Sequence, residues 1–262
     1  MRRSTFFWGT MLVLAGALLL LNNLGIFSVN VWGVLWPLFF IALGVWMVLG
    51  MVFRPSRTTQ HVVIPLDSAS RARVRINHGA GRLRISSGAS PSNLVEGDFD
   101  GGLDFNTRKD GDLIDLRMRV ADPGFPVFWG SGSPLDWTVN LSAEIPLELE
   151  METGANDARI DLSGLRVTGL RVRSGASSTD ITLPANAGFT RVDIGTGAAS
   201  VNLHVPSGVA ARVGVRGSLS SIHVDSNRFP RLGDSYQSAD YDTAANKVDI
   251  NVDMGVGSLS VD

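Results

Sequence analysis

The chain has no cysteine among its 262 residues. That excludes disulfides, thiolate metal sites and cysteine nucleophiles, and it fits a reducing compartment. It also lacks a surplus of positive charge. The 23 Lys and Arg stand against 25 Asp and Glu, for a net charge of −2. No basic stripe of the kind nucleic-acid binders use can be built from this balance, so no nucleic-acid partner is expected. Charge of either sign is missing altogether from Ser4 to Phe53. Catalytic signatures are missing too: there is no Gly-x-Ser-x-Gly elbow and no Ser-His-Asp arrangement. The glycine-rich stretches GAGRLRISSG and GTGAAS open no helix and carry no Lys in P-loop position, so they read as turns. No enzymatic activity, cofactor or metal site is expected.

What is present divides the chain in two. The uncharged interval is long enough for two bilayer crossings of about 20 residues each. Residues 1–54 therefore read as a two-helix transmembrane hairpin, with helices about 6–27 and 31–53. The turn between them holds Asn22, Asn23, Gly25 and Asn30, which belong at an interface rather than in hydrocarbon. Trp8, Trp32 and Trp36 fall near the expected interfaces, and Pro37 falls in the first turns of the second helix. A cleaved signal peptide is the competing reading. No small-x-small site follows Leu21, however, and a second long apolar segment comes directly after it. Arg2 and Arg3 before the first helix, and Arg54 and Arg57 after the second, place both chain ends in the cytoplasm by the positive-inside rule.

Residues 55–60 read as a linker, and residues 61–262 as an all-β repeat domain. The repeated unit is an alternating strand, a Gly-small turn and a second alternating strand. It recurs as INHGAGRLRI, METGANDARIDL, VRSGASSTDITL, IGTGAASVNLHV, VRGSLSSIHV and VDMGVGSLSV. The turn glycines Gly154, Gly175, Gly197 and Gly217 are 21, 22 and 20 residues apart, as in a stacked, β-solenoid-like architecture. The fold class is thus a membrane α-helical hairpin plus an all-β domain of stacked short strands. Period-2 alternation turns Leu149, Met151, Leu170, Val172, Val192, Ile194, Ile250 and Val252 inward before the turns. After them it turns Ile160, Leu162, Ile181, Leu183, Leu203, Val205, Ile222, Val224, Leu259 and Val261 inward. Outward columns should align Glu150, Arg171 and Asp193, and also Glu152 and Arg173, as register markers. The period breaks over residues 91–144 and 225–247, which are expected to cap the stack or to hold a recognition surface.

Two clusters invite chemistry. His204 and His223 should share one outward column on neighbouring coils, although two imidazoles alone make a poor metal site. Glu96, Asp98, Asp100 and Asp104 form an acidic run around Gly101 and Gly102, which reads as a hairpin with a polar outer face. The candidate interaction surface is aromatic: Phe125, Phe128, Trp129 and Trp137 in the first break, and Phe229, Tyr236 and Tyr241 in the second.

The segment GTMLVLAGALLLLNNLGIF, followed by VWGVLWPLFFIALGVWMVLG with its Trp36, Pro37 and Leu38, resembles the transmembrane region shared by bacterial LiaI and LiaF-like proteins. The segment IPLELEMETGANDARIDLSGLRVTGLRVRSGASSTDITLP is similar to the toastrack β domain of the cell-wall-active-antibiotic-response family, itself related to adhesin-like domains. The resemblance implies a non-enzymatic protein of the bacterial cytoplasmic (inner) membrane, multi-pass, in contact with membrane lipid. It implies a scaffold or regulator in envelope-stress response that acts by protein–protein contact, with a sensor histidine kinase or another membrane protein as partner. On the orientation above, the β domain faces the cytoplasm. The alternative is a surface-exposed, adhesin-like structural β domain.

Overall fold

The computed structural model describes residues 13, 36–37, 39–41, 43–45, 59–121 and 135–262, with the side chains of 218–220 excepted. Most of the expected hairpin lies outside the described residues. The few that fall within it are helical. Among the described residues, no helix is long and apolar enough to cross a membrane.

The all-β unit comprises Arg57–Phe125 and Gly132–Asp262. Its strands are β1 (Thr59–Pro65), β2 (Arg71–Ser87), β3 (Asn93–Asp100), β4 (Leu103–Asp110), β5 (Leu113–Val120), β6 (Leu135–Leu141), β7 (Leu147–Asp161), β8 (Val167–Thr182), β9 (Phe189–His204), β10 (Ala210–Val224), β11 (Arg231–Leu232), β12 (Ser235–Gln237) and β13 (Lys247–Val261). The first strand starts inside the stretch expected to be linker. The strands join one mixed sheet in the order β1-β3-β6-β2-β7-β8-β9-β13-β10-β12-β11, with β5 also pairing β2 and β4 pairing β5.

Each repeat unit is one long strand with two arms. In β7 the buried residues are Leu147, Leu149 and Met151 in the first arm, then Ala158 and Ile160 in the second. The alternation slips by one residue at the bend. Without that slip the second arm would present its apolar side to water. With it, both arms feed one core, which runs through β2, β7, β8, β9 and β13. Every inward residue expected from the pattern in β7, β8, β9 and β13 is buried, each fully buried Leu, Ile or Val contributing about 1.5–3 kcal/mol. Ile222 and Val224 of β10 are the exceptions: Ile222 is 42% exposed and Val224 is half-buried.

The bends lie over one another because they carry glycine. A methyl group on Gly154 would sit 2.6 Å from the carbonyl oxygen of Gly79; on Gly197, 2.8 Å from that of Gly175; on Gly255, 2.7 Å from that of Gly197. No side chain fits in this spine. Gly217, expected to belong to it, does not. It pairs with Met254, and Leu219 pairs with Val256, so Ser218 stands at the bend.

The stacking order also departs from chain order. The C-terminal strand β13 inserts between β9 and β10, parallel to both. Periodicity specifies that coils stack but not which coil neighbours which, since every coil offers the same apolar face. The period breaks supply the ends. On the far side of β2, β5 pairs its first arm and β6 its second, with β3 and β1 continuing antiparallel beyond β6. Beyond β10, β12 and β11 form a short hairpin.

Candidate functional site

Outward side chains on the first arms of β7, β8, β9, β13 and β10 form rows across the sheet. One row reads Glu152, Arg173, Gly195, Asp253 and Arg216; the next reads Glu150, Arg171, Asp193, Asn251 and Gly214. The expected alignments of Glu150 with Arg171 and Asp193, and of Glu152 with Arg173, are both present. Ion pairs lace the β2 side. Arg75 reaches Glu150 at 3.0 Å and Asp115 at 3.1 Å, and Arg73 reaches Glu148 at 2.7 Å. Further along, Arg171 lies 3.7 Å from Glu150, and Arg191 lies 3.3 Å from Asp193. Exposed pairs of this type contribute about 0–1 kcal/mol each, so they set register more than stability.

Toward β10 the lacing stops and a groove of 1190 Å³ opens. Gly195 and Gly214 leave its floor bare. A methyl group on Gly195 would meet nothing within 4 Å, and Gly195 does not have a positive φ. A glycine inside a strand costs stability relative to a side-chain-bearing residue and marks a place of close approach. The walls carry Arg171, Arg173, Arg191 and Arg216 against Glu152, Asp193, Asp234 and Asp253. Arg173 and Arg216 have no carboxylate within ion-pairing distance among the described residues. Thr196 also lines the groove; it is buried, and its Oγ1 has no hydrogen-bond partner among the described residues. The groove offers charge pairing and hydrogen bonding to a bound segment. Sequence reasoning found its register but not its opening. The available signal was a glycine at an outward strand position with no turn to explain it.

The aromatic candidates fare differently. Phe125, Phe128 and Trp129 lie outside the described residues. Trp137 is fully buried and donates its Nε1–H to the Asp100 carbonyl at 3.2 Å. Phe229 and Tyr241 are buried as well, and Tyr236 is half-buried against the core. Arg212 lies 4.2 Å over the Tyr241 ring, and burial pushes the Tyr241 hydroxyl above its usual range. Burial removes Trp137, Phe229 and Tyr241 from any presented surface; their rings plug the ends of the stack.

The two histidines are not neighbours, because β13 lies between their strands. His223 faces Ser260, whereas His204 Nδ1 lies 2.7 Å from Asp262 and its Nε2 3.5 Å from Asp180. The acidic run is not a hairpin either. At Gly101 and Gly102, both at positive φ, the chain leaves β3 for β4, and these strands pair with β1 and β6 and with β5 respectively. Asp98 meets His61 at 2.9 Å, while Asp104 meets Arg119 at 2.6 Å.

Comparison with known proteins gives two family matches. The model of the N-terminal domain of toast_rack, DUF2154, matches residues 53–204. The model of the LiaI-LiaF-like transmembrane region matches residues 6–48. No curated protein matches the chain. Among solved structures, a proposed cell adhesion protein from Clostridium sporogenes superposes with a TM-score of 0.72 at 18% identity, over 79% of this chain and 99% of that one. A proposed adhesin from Bacteroides fragilis is also similar in extent, covering 80% of this chain and 98% of its own, at 8% identity and a TM-score of 0.30.

Proposed function

We infer the role of this chain from its family: it belongs to the toast_rack family, and it is a membrane-associated β-domain protein. The reading supported best is a non-enzymatic scaffold of the bacterial inner membrane that acts in the response to envelope stress. The observation that carries it is the junction, on one chain, of a LiaI-LiaF-like transmembrane region with a toast_rack domain. On this reading the anchor is a two-pass hairpin. Arg2, Arg3, Arg54 and Arg57 hold the β domain on the cytoplasmic side. The groove around Gly195 is then the contact face. Its mixed charge suits a protein segment bearing both signs, and the kind of partner is a sensor histidine kinase in the same membrane.

The test uses the full-length chain in its membrane. Arg173→Glu with Arg216→Glu should lower recovery of a membrane signalling protein after cross-linking and should alter the response to cell-wall antibiotics. Recovery of no signalling protein by the parent chain, with an unchanged antibiotic response on deletion, sinks the reading. A second reading, an adhesin-like module outside the cell, is favoured by the fold shared with the Clostridium sporogenes protein. Protease added to intact spheroplasts separates the two, since only an outward β domain is digested.

A further inference from the structure

We propose that the second arm of β10, Gly217–Val224, pairs edge to edge with the same segment of a second copy of this chain. The two strands run antiparallel about a two-fold axis through Ser221.

The argument starts from an unfinished stack. Every interior coil has a strand on both sides. β10 has β13 on one side, but on the other β12 pairs only Arg212–Gly214. Among the described residues, nothing pairs the outer edge of Gly217–Val224. The core column is open at the same place. Ile222 is 42% exposed, whereas its equivalents Thr179, Val201 and Leu259 are 3%, 0% and 1% exposed. A coil is missing here, and a terminal repeat without a polar cap is a liability in stacked folds.

The edges at β1 and β4 are defended. β1 is short and ends in Pro65, and the outer strand β4 carries Asp104, Arg108, Lys109 and Asp110. Such devices keep strangers from pairing with an edge. Gly217–Val224 has none of them: its sequence, GSLSSIHV, holds no proline and no Lys, Arg, Asp or Glu.

Charge decides the occupant. Arg216 precedes the segment and Asp225 follows it. Neither has an ion-pair partner among the described residues; Asp225 Oδ1 only accepts the Asn227 N–H at 3.0 Å. Antiparallel pairing about the stated axis sets Ser221 against Ser221, and it brings each copy's Arg216 beside the other's Asp225. Parallel in-register pairing would set Arg216 against Arg216. An edge that is neutral along its length and oppositely charged at its two ends is complementary to itself, which is the requirement for a closed two-fold interface. Confinement of both copies to one membrane raises their effective concentration.

The chain has no cysteine, so a single introduced thiol reports position without background. Full-length Ser221→Cys in membranes, treated with a short bis-maleimide, should run as a covalent dimer. Ser178→Cys, in the same outward column on interior strand β8, should stay monomeric. Adding Arg216→Asp to Ser221→Cys should cause loss of the dimer, and adding Asp225→Arg as well should restore it. A monomeric Ser221→Cys overturns the proposal, as does equal cross-linking at Ser178→Cys. A dimer indifferent to Arg216→Asp overturns the antiparallel pairing, and a cross-link to a different protein overturns the choice of occupant.

Discussion

At the β2 end of the stack, Trp137 packs edge-on against Phe99 and His78, each with ring centroids 5.1 Å away, and both arms of β2 are paired. At the β10 end, Phe229 and Tyr241 are buried, and Arg228 staples its loop to the Val205 carbonyl at 2.9 Å. Yet only the first arm there is covered, and Ile222 stays in water. One end of the core is sealed by residues that the chain spends many positions to bring together. The other is sealed over half its width. A stack sealed twice would be a self-sufficient module; a stack sealed once and a half carries an attachment point.

The strongest way to break this contrast is to cut large apolar side chains at the sealed end, in the interior and at the open end. Trp137→Ala at the sealed end should cost about 3–5 kcal/mol, and Leu259→Ala in the interior about 2–5 kcal/mol. Ile222→Ala, in the same column as Leu259 but 42% exposed, should cost less than about 1 kcal/mol in dilute protein, because little apolar area is lost. Denaturant unfolding of the full chain followed by circular dichroism reads all three. Equal losses for Leu259→Ala and Ile222→Ala in dilute protein would mean that the β10 end is closed after all.

The glycines give the next largest effect, and they sharpen the comparison between packed bend and open face. Gly197→Ala forces a methyl group to 2.8 Å from the Gly175 carbonyl oxygen, backbone against backbone, and should cost about 1–3 kcal/mol. Gly195→Ala, two residues earlier, meets open space and should stabilise the chain by about 0.4–1 kcal/mol, by restricting the unfolded chain. If Gly195→Ala destabilises instead, the bare floor of the groove is a folding requirement and not a cleared surface.

These two glycines also mark what could be read in advance. Alternation announced the arms and their buried residues, since a residue's side of a strand is a local property. The turn glycines Gly154, Gly175 and Gly197 announced the spine for the same reason, whereas Gly217 lies outside it. The place of β13 was hidden, because parallel coils with matching faces exchange neighbours without changing any local pattern. Trp137 was misread as surface because its loop-like surroundings are polar. Its burial depends on β3 and β6 coming together across a long stretch of chain. The groove combined both situations: its charges were visible as columns, but its opening depends on β13 and β10 lying beside β9.

His78 provides the smallest of the expected effects and a final contrast between the ends. It shares a column with Thr153, Ser174, Thr196, Met254 and Gly217, so the sealed end holds an imidazole where β13 near the open end holds a thioether. His78 is 1% exposed; its Nε2–H donates to the Leu135 carbonyl at 3.1 Å, and its Nδ1 has no partner. Burial lowers its pKa below 6.5, opposed by the Leu135 carbonyl and by Asp136. In the window between that lowered value and 6.5, the unfolded chain binds a proton that the folded chain refuses. The contribution of His78 is therefore complete above pH 6.5 and is lost as pH falls through the window. A proton on Nδ1 would be a buried donor facing no acceptor, which explains the direction. His78→Met should remove this part of the acid sensitivity, so parent and variant should differ in the pH dependence of their unfolding midpoint between neutral and mildly acid solution. Parallel pH profiles for the two would show that the ring is protonated at no cost, and hence that the sealed end is wetter than the packing of Trp137 implies.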